Sequence, residues 1–135
     1  MAAEIPKIRL LIVDDSIIVR GRLAELLAET QQVEIVGEVD DAPEAMDRIR
    51  ALKPQVVILD VRLPHGSGID VLRDIKHESP APLVIVLTNY PYPQYRESCL
   101  AAGADYFFDK STEFNRITDV VNSLAVPGVR FEGAP

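Results

Sequence analysis

Ile8-Arg-Leu-Leu-Ile-Val-Asp-Asp-Ser16 is the stretch on which the reading of the fold turns. Six residues of nearly unbroken apolar character end in two aspartates, the mark of a strand buried on both faces of a parallel sheet. The period then changes. From Ile17 to Thr30, Val19, Leu23, Leu26 and Leu27 fall on one helical stripe, with Arg20, Arg22, Glu25 and Glu29 outside it. A strand followed by an amphipathic helix is half of a βαβ unit, and the rest of the chain repeats it.

Val33 to Val39 reads as a second strand, and Asp41-Ala-Pro-Glu44 has the form of a capping box opening a helix that runs to about Leu52. Gln55 to Leu59 is the third strand. After the turn Leu63-Pro-His-Gly-Ser-Gly68 a helix is expected to carry Ile69, Leu72 and Ile75 inward, and Pro80 and Pro82 close the helical stretch. Leu83 to Leu87 is the fourth strand. A helix from Pro93 to Ala102 follows, with Gly103 at its C-cap. Tyr106 to Phe108 is the fifth strand, and Ser111 is expected to cap a last helix whose Phe114, Ile117, Val121 and Leu124 face the core.

Strands one, three and four are continuous apolar runs and belong in the centre. The second carries Glu34 and Glu38, and the fifth is short and flanked by Asp105 and Asp109, so both read as edges. The expected architecture is α/β, a doubly wound five-stranded parallel sheet of order 2-1-3-4-5. In such a sheet ligands bind beyond the carboxyl ends of the strands where the winding reverses, here between strands one and three. Residues 1–125 are expected to form this domain, and the Pro- and Gly-rich residues 126–135 a loose tail with no room for a second domain.

At that switch point Asp14 and Asp15 end the first strand and Asp60 ends the third. Each aspartate alone reads as a helix cap or strand terminator. Together they crowd like charges that a hard cation such as Mg²⁺ would offset, and an all-oxygen set disfavours zinc or copper. Thr88 and Lys110, at the ends of the fourth and fifth strands, add a hydroxyl and an ammonium to the same edge, although separately they read as a β-favouring residue and a solvated charge. A carboxylate can accept a phosphoryl group as an acyl phosphate, and that transfer depends on metal and cationic donors around the phosphoryl oxygens.

With these residues in place the chain resembles the response-regulator receiver domain. The resemblance is carried by LIVDDS at 11–16, VVILDVRLPHGSGIDVL at 56–72, LT at 87–88 and AAGADYFFDKS at 101–111, and it extends from Ile8 to about Leu124. It implies a flavodoxin-like (βα)5 fold with Asp60 as phosphoacceptor, a choice that periodicity alone leaves open among the three aspartates. It further implies that Asp15 ligates Mg²⁺ directly, Asp14 acts through a bound water, and Asp60 and the main-chain carbonyl of Arg62 complete the ligands. Thr88 and Lys110 would contact the phosphoryl oxygens, and Phe107 takes the place of the switch aromatic. Ser111 stands where the family usually has proline, so a cis peptide is not expected there and the loop into the last helix should differ. Asn89, Arg62 and Tyr90 are large for positions lining the site entrance.

Composition bounds the alternatives. Apolar residues make up 47% and charged residues 26% of 135, a globular balance, and the net charge of −7 opposes nucleic-acid or anionic-membrane binding. A single cysteine, Cys99, permits no internal disulfide, and no signal sequence or spanning segment is present, so a cytoplasmic location is expected. His65 and His77 read as surface residues, and Tyr90, Tyr92 and Tyr95 as an aromatic loop that either docks a partner or covers the sheet. The function expected is a single-domain response regulator, not an enzyme on other substrates. It would be phosphorylated by a histidine kinase or phosphotransfer protein and signal to a protein target through the face made by its fourth helix, fifth strand and fifth helix. A phosphorylation-dependent dimer is compatible with that role. The alternatives are a non-catalytic adaptor of the same fold or a receiver cut from a longer regulator. An aspartyl-phosphate phosphatase would need an acid at position 62, which is Arg, and GxxxxGK[ST] is absent.

Overall fold

Side chains alternate across the strands so strictly that the sheet builds two cores. On β1 (Ile8–Val13), Leu11 and Val13 face one side and Ile8, Leu10 and Ile12 the other. The same division recurs on β3 (Val56–Leu59) and β6 (Leu83–Thr88), and on β7 (Tyr106–Asp109) it separates Phe107 from Phe108. The computed structural model describes residues 7–125. The proposed tail 126–135 lies outside them.

The first face is covered by α2 (Ala42–Leu52), α3 (Gly68–Lys76) and α4 (Pro93–Ala101), through Ala45, Ile49, Leu72, Ile75 and Cys99. The second is covered by α1 (Ile17–Ala28) and α5 (Arg116–Ala125), through Leu23, Leu27, Ile117 and Val121. With β2 (Val33–Val39) at one edge and β7 at the other, the five strands are parallel in the order β2-β1-β3-β6-β7. This is the expected 2-1-3-4-5 sheet. The numbering shifts because residues 62–67 form a two-strand antiparallel hairpin, β4 (Arg62–Leu63) and β5 (Gly66–Ser67), where only a turn was expected.

Two local features position the site. Asp41 accepts from Glu44 N at 2.9 Å, as its capping pattern requires. Gly68 lets α3 start directly behind the third strand, since a Cβ there would collide with the Asp60 carbonyl.

The start of the last helix differs from the expectation. Ser111 does not cap it, and α5 begins five residues later at Arg116. The Asp109 carboxylate accepts from Ser111 N at 2.8 Å while Glu113 Oε1 accepts from Asp109 N at 3.1 Å, which winds residues 109–113 into a turn. Phe114 is buried as expected, but from the loop before the helix, with the Arg22 guanidinium over its ring at 4.4 Å. Ile69 is only half-buried; Val71 takes the inward position beside Leu72.

His65 and His77 are both exposed. Cys99 is fully buried, and burial pushes its thiol up to about 11. Because the thiolate is the nucleophile, iodoacetamide at about pH 8 should leave the native protein unmodified yet alkylate it fully in denaturant, as intact mass would show. Rapid native alkylation would contradict the packing.

Candidate functional site

The carboxyl ends of β1 and β3 lie side by side, because Asp60 N donates to Val13 O at 3.0 Å and thereby extends the ladder past the last paired residues. Asp14, Asp15 and Asp60 consequently bring carboxylate oxygens within 4.8 Å of one another. Asp14 and Asp60 are buried and Asp15 is exposed. Two buried like charges at this distance require an offset, and Lys110 supplies it. Its Nζ lies 2.7 Å from Asp14 Oδ2 and 2.9 Å from Asp60 Oδ2. Lys110 reaches that point because β7 ends beside β6, where Lys110 N donates to Thr88 O at 2.9 Å.

Burial raises the Asp60 carboxyl above the ordinary carboxylate range; the charge and hydrogen bond of Lys110 oppose this, and Asp14 adds to it. Burial also works to lower Lys110, but its hydrogen bond to Asp14 and the charge of Asp60 prevail, so the ammonium is held above its usual value. The charged form of Lys110 is thereby favoured at the centre of the cluster.

Asp14 is saturated. Its Oδ1 accepts from Ser16 N at 2.8 Å and its Oδ2 faces Lys110. Asp60 Oδ1 receives only a long 3.3 Å bond from Arg62 N. Thr88 is fully buried, with its Oγ1 accepting from Tyr90 N at 3.0 Å, which leaves the hydroxyl proton to donate elsewhere.

A cleft of about 400 Å³ opens above these groups, lined by Asp15, Asp60, Arg62, Asn89, Tyr90 and Lys110 among others. The sequence-predicted residues Asp14, Asp15, Asp60 and Lys110 are thus brought together, with Arg62, Asn89 and Tyr90 lining the cleft and Thr88 joined to the site through its bonds from Tyr90 N and Lys110 N. Phe107 is the exception. It is buried in the core on the α2–α3–α4 side, with the Arg96 guanidinium 5.7 Å from its ring.

A family model for the response regulator receiver domain matches residues 10–122. The chain belongs to the response regulator receiver family. The chain is 36% identical over 117 residues to the DNA-binding transcriptional activator DevR/DosR of Mycobacterium tuberculosis, a match covering 87% of this chain and 54% of that one. It is 31% identical over 119 residues to a protein-glutamate methylesterase/protein-glutamine glutaminase of Methanospirillum hungatei, covering 87% of this chain and 35% of that one. It therefore spans about a half and about a third of the length of these relatives. Among solved structures, the receiver domain of the response regulator NarL from Mycobacterium tuberculosis superposes with a TM-score of 0.78 at 27% identity, covering 87% of this chain and 98% of that chain. The response regulator domain of Thermotoga maritima CheB gives 0.78 at 27% identity, covering 88% and 96%.

Receiver domains are the phosphoacceptors of two-component signalling, bind Mg²⁺ at an acidic pocket, and interact with histidine kinases or phosphotransfer proteins and with output domains. The donors of this receiver fit such an ion, since all are oxygens and a hard divalent cation prefers carboxylates. Among the described residues no helix is long and apolar enough to cross a membrane.

Two neighbours of the site escaped the sequence reading. Arg20, placed outside the stripe of its helix, turns back so that its Nη1 donates to Asp14 O at 2.6 Å. Tyr95 interacts through its hydroxyl with the Arg62 guanidinium, which also lies 4.3 Å over the Tyr90 ring. Nothing in the residue spacing signals the first contact. The second had only the clustering of tyrosines as a hint.

Proposed function

We propose that Asp60 is the phosphoacceptor of this receiver. The observation that carries this reading is the placement of its carboxylate between Lys110 and the open cleft, beside Asp14 and Asp15. In the transfer, an Asp60 oxygen attacks the phosphorus of a phosphohistidine or small acyl phosphate. The bond to the leaving group breaks, and an imidazole leaving group picks up a proton. Lys110 then follows the charge onto the phosphoryl oxygens, and Thr88 offers its hydroxyl proton to one of them. Water attacking the same phosphorus later returns the carboxylate and free phosphate. Mg²⁺, held by Asp14, Asp15, Asp60 and the main-chain carbonyl of Arg62, would supply positive charge to the phosphoryl oxygens and offset the carboxylates.

In this reading residues 1–125 are the receiver unit, acting in the cytoplasm, and residues 126–135 a tail. The phosphoryl source is a histidine kinase or phosphotransfer protein. Output passes to a protein target through the α4–β7–α5 face, with Phe107 as its aromatic element and a phosphorylation-dependent dimer as one form it can take. Incubation with acetyl phosphate and Mg²⁺ should add one phosphoryl group by intact mass, and chelator should prevent it. No incorporation would favour a non-catalytic adaptor.

The lifetime of that group is a second consequence. Hydrolysis needs a water in line with the departing Asp60 oxygen, and Arg62 and Tyr90 stand at the entrance stacked on each other. There they screen the phosphoryl group, Arg62 by its charge on the outer oxygens and Tyr90 by occupying the water's path. Replacing both by Ala should speed phosphate loss on the order of tenfold, the change that about 1.4 kcal/mol of barrier produces. Mg²⁺ affinity should stay near the parent's, since the metal would take only a main-chain oxygen of residue 62. A half-life in the double variant equal to or longer than the parent's would refute screening.

A further inference from the structure

We propose that Arg20 is a positioning residue for the metal-binding carboxylates, an assignment that rests on the phosphoacceptor reading above. Arg20 closes the first turn of α1, and its side chain is only 15% exposed. Its Nη1 donates to Asp14 O at 2.6 Å, and its Nε lies 3.2 Å from Glu38 Oε1 on the edge strand. Glu38 is within reach because a β-bulge between Leu10 and Leu11 shifts the register by one residue and sets Glu38 opposite Ile12.

The consequence lies in the peptide that this bond holds. The Asp14 carbonyl belongs to the Asp14–Asp15 peptide, so the guanidinium fixes the plane that joins the two carboxylates. The rest of Asp14 is already tied down: its N donates to Val39 O at 2.9 Å, its Oδ1 accepts from Ser16 N, and its Oδ2 faces Lys110. Asp15, by contrast, is exposed. The orientation of that residue depends on the peptide before it, and Arg20 is the side chain bonded to that peptide. A cation-bearing side chain that orders an anionic ligand pair from behind raises metal affinity without touching the metal, as outer-shell partners do.

The test is titration of the full chain with MgCl₂ by calorimetry. Arg20→Met keeps the apolar stem and removes the donors. It should weaken Mg²⁺ binding about tenfold, the lower end of outer-shell effects. Labelling by acetyl phosphate should fall at limiting Mg²⁺ and recover at saturating Mg²⁺, a split that a general loss of packing would not produce. Glu38→Gln, which removes the ion pair but leaves the carbonyl bond, should titrate like the parent, and Arg20→Lys should regain part of the lost affinity. An Arg20→Met protein that binds Mg²⁺ as tightly as the parent, or whose labelling stays low at saturating Mg²⁺, overturns the assignment. A parent protein that takes up no Mg²⁺ overturns both the phosphoacceptor reading and this inference, whereas equal binding by parent and variant overturns this inference alone.

Discussion

An Asp60→Asn protein mixed with acetyl phosphate and Mg²⁺ is expected to keep its unmodified mass under conditions that label the parent. The amide retains the shape of the carboxylate but carries no charge and has no oxygen able to attack phosphorus. The substitution should leave the fold in place. Asp60 is 5% exposed and its burial already disfavours the charged form, so a neutral isostere removes a desolvation cost together with the bond to Lys110. Lys110 keeps its 2.7 Å contact to Asp14 as an anchor. Labelling of the Asp60→Asn protein at the parent's level would move the acceptor elsewhere. The candidates would then be Asp14, whose oxygens face Ser16 N and Lys110, and the exposed Asp15. Peptide mapping of the labelled product separates these cases.

The division between what could be read along the chain and what could not follows the range of the interactions. Strand order was legible because strands buried on both faces are unbroken apolar runs while edge strands carry charge, and the helical cores because burial imposes a period of about 3.6; which face each strand residue takes, as where Leu11 parts from Ile12 and Val57 from Ile58, came from the structure. The candidate site was legible for a related reason. In a doubly wound sheet the ends of β1, β3, β6 and β7 come to one edge, so residues 14, 15, 60, 88 and 110 converge once the order is known.

Contacts made by long side chains were not legible. Lys110 bridging Asp14 as well as Asp60, Arg20 turning back to Asp14, and Arg62 lying between Tyr90 and Tyr95 all depend on rotamers, not on spacing. The β4–β5 hairpin escaped because two residues per strand show no period. The late start of α5 escaped because a local choice decided it: Glu113 accepts from Asp109 N and the Asp109 carboxylate accepts from Ser111 N, which outcompetes a cap at Ser111.

Lys110→Ala carries the largest expected change in stability. In chelator, the variant should be less stable than the parent by about 3 kcal/mol, because removing one partner of a buried pair leaves uncompensated charge. Here two carboxylates, with side chains 2% and 6% exposed, lose the same cation. The unfolding midpoint should fall by roughly 10 °C. Addition of Mg²⁺ should narrow the gap. A ligand that binds only the folded state at a hundred times its Kd contributes about 2.7 kcal/mol, and in the variant the ion meets carboxylates free of a competing ammonium. The same protein should still accept a phosphoryl group at saturating Mg²⁺, yet the amide signals of α4, β7 and α5 should stay where they are in the unphosphorylated form. Lys110 N is bonded to Thr88 O at the β6–β7 edge, so a pull on its ammonium is felt first by the strand that leads into that face. A variant as stable as the parent in chelator would show that the three groups are not electrostatically interdependent. Parent-like spectral shifts on phosphorylation would show that the report travels by another route.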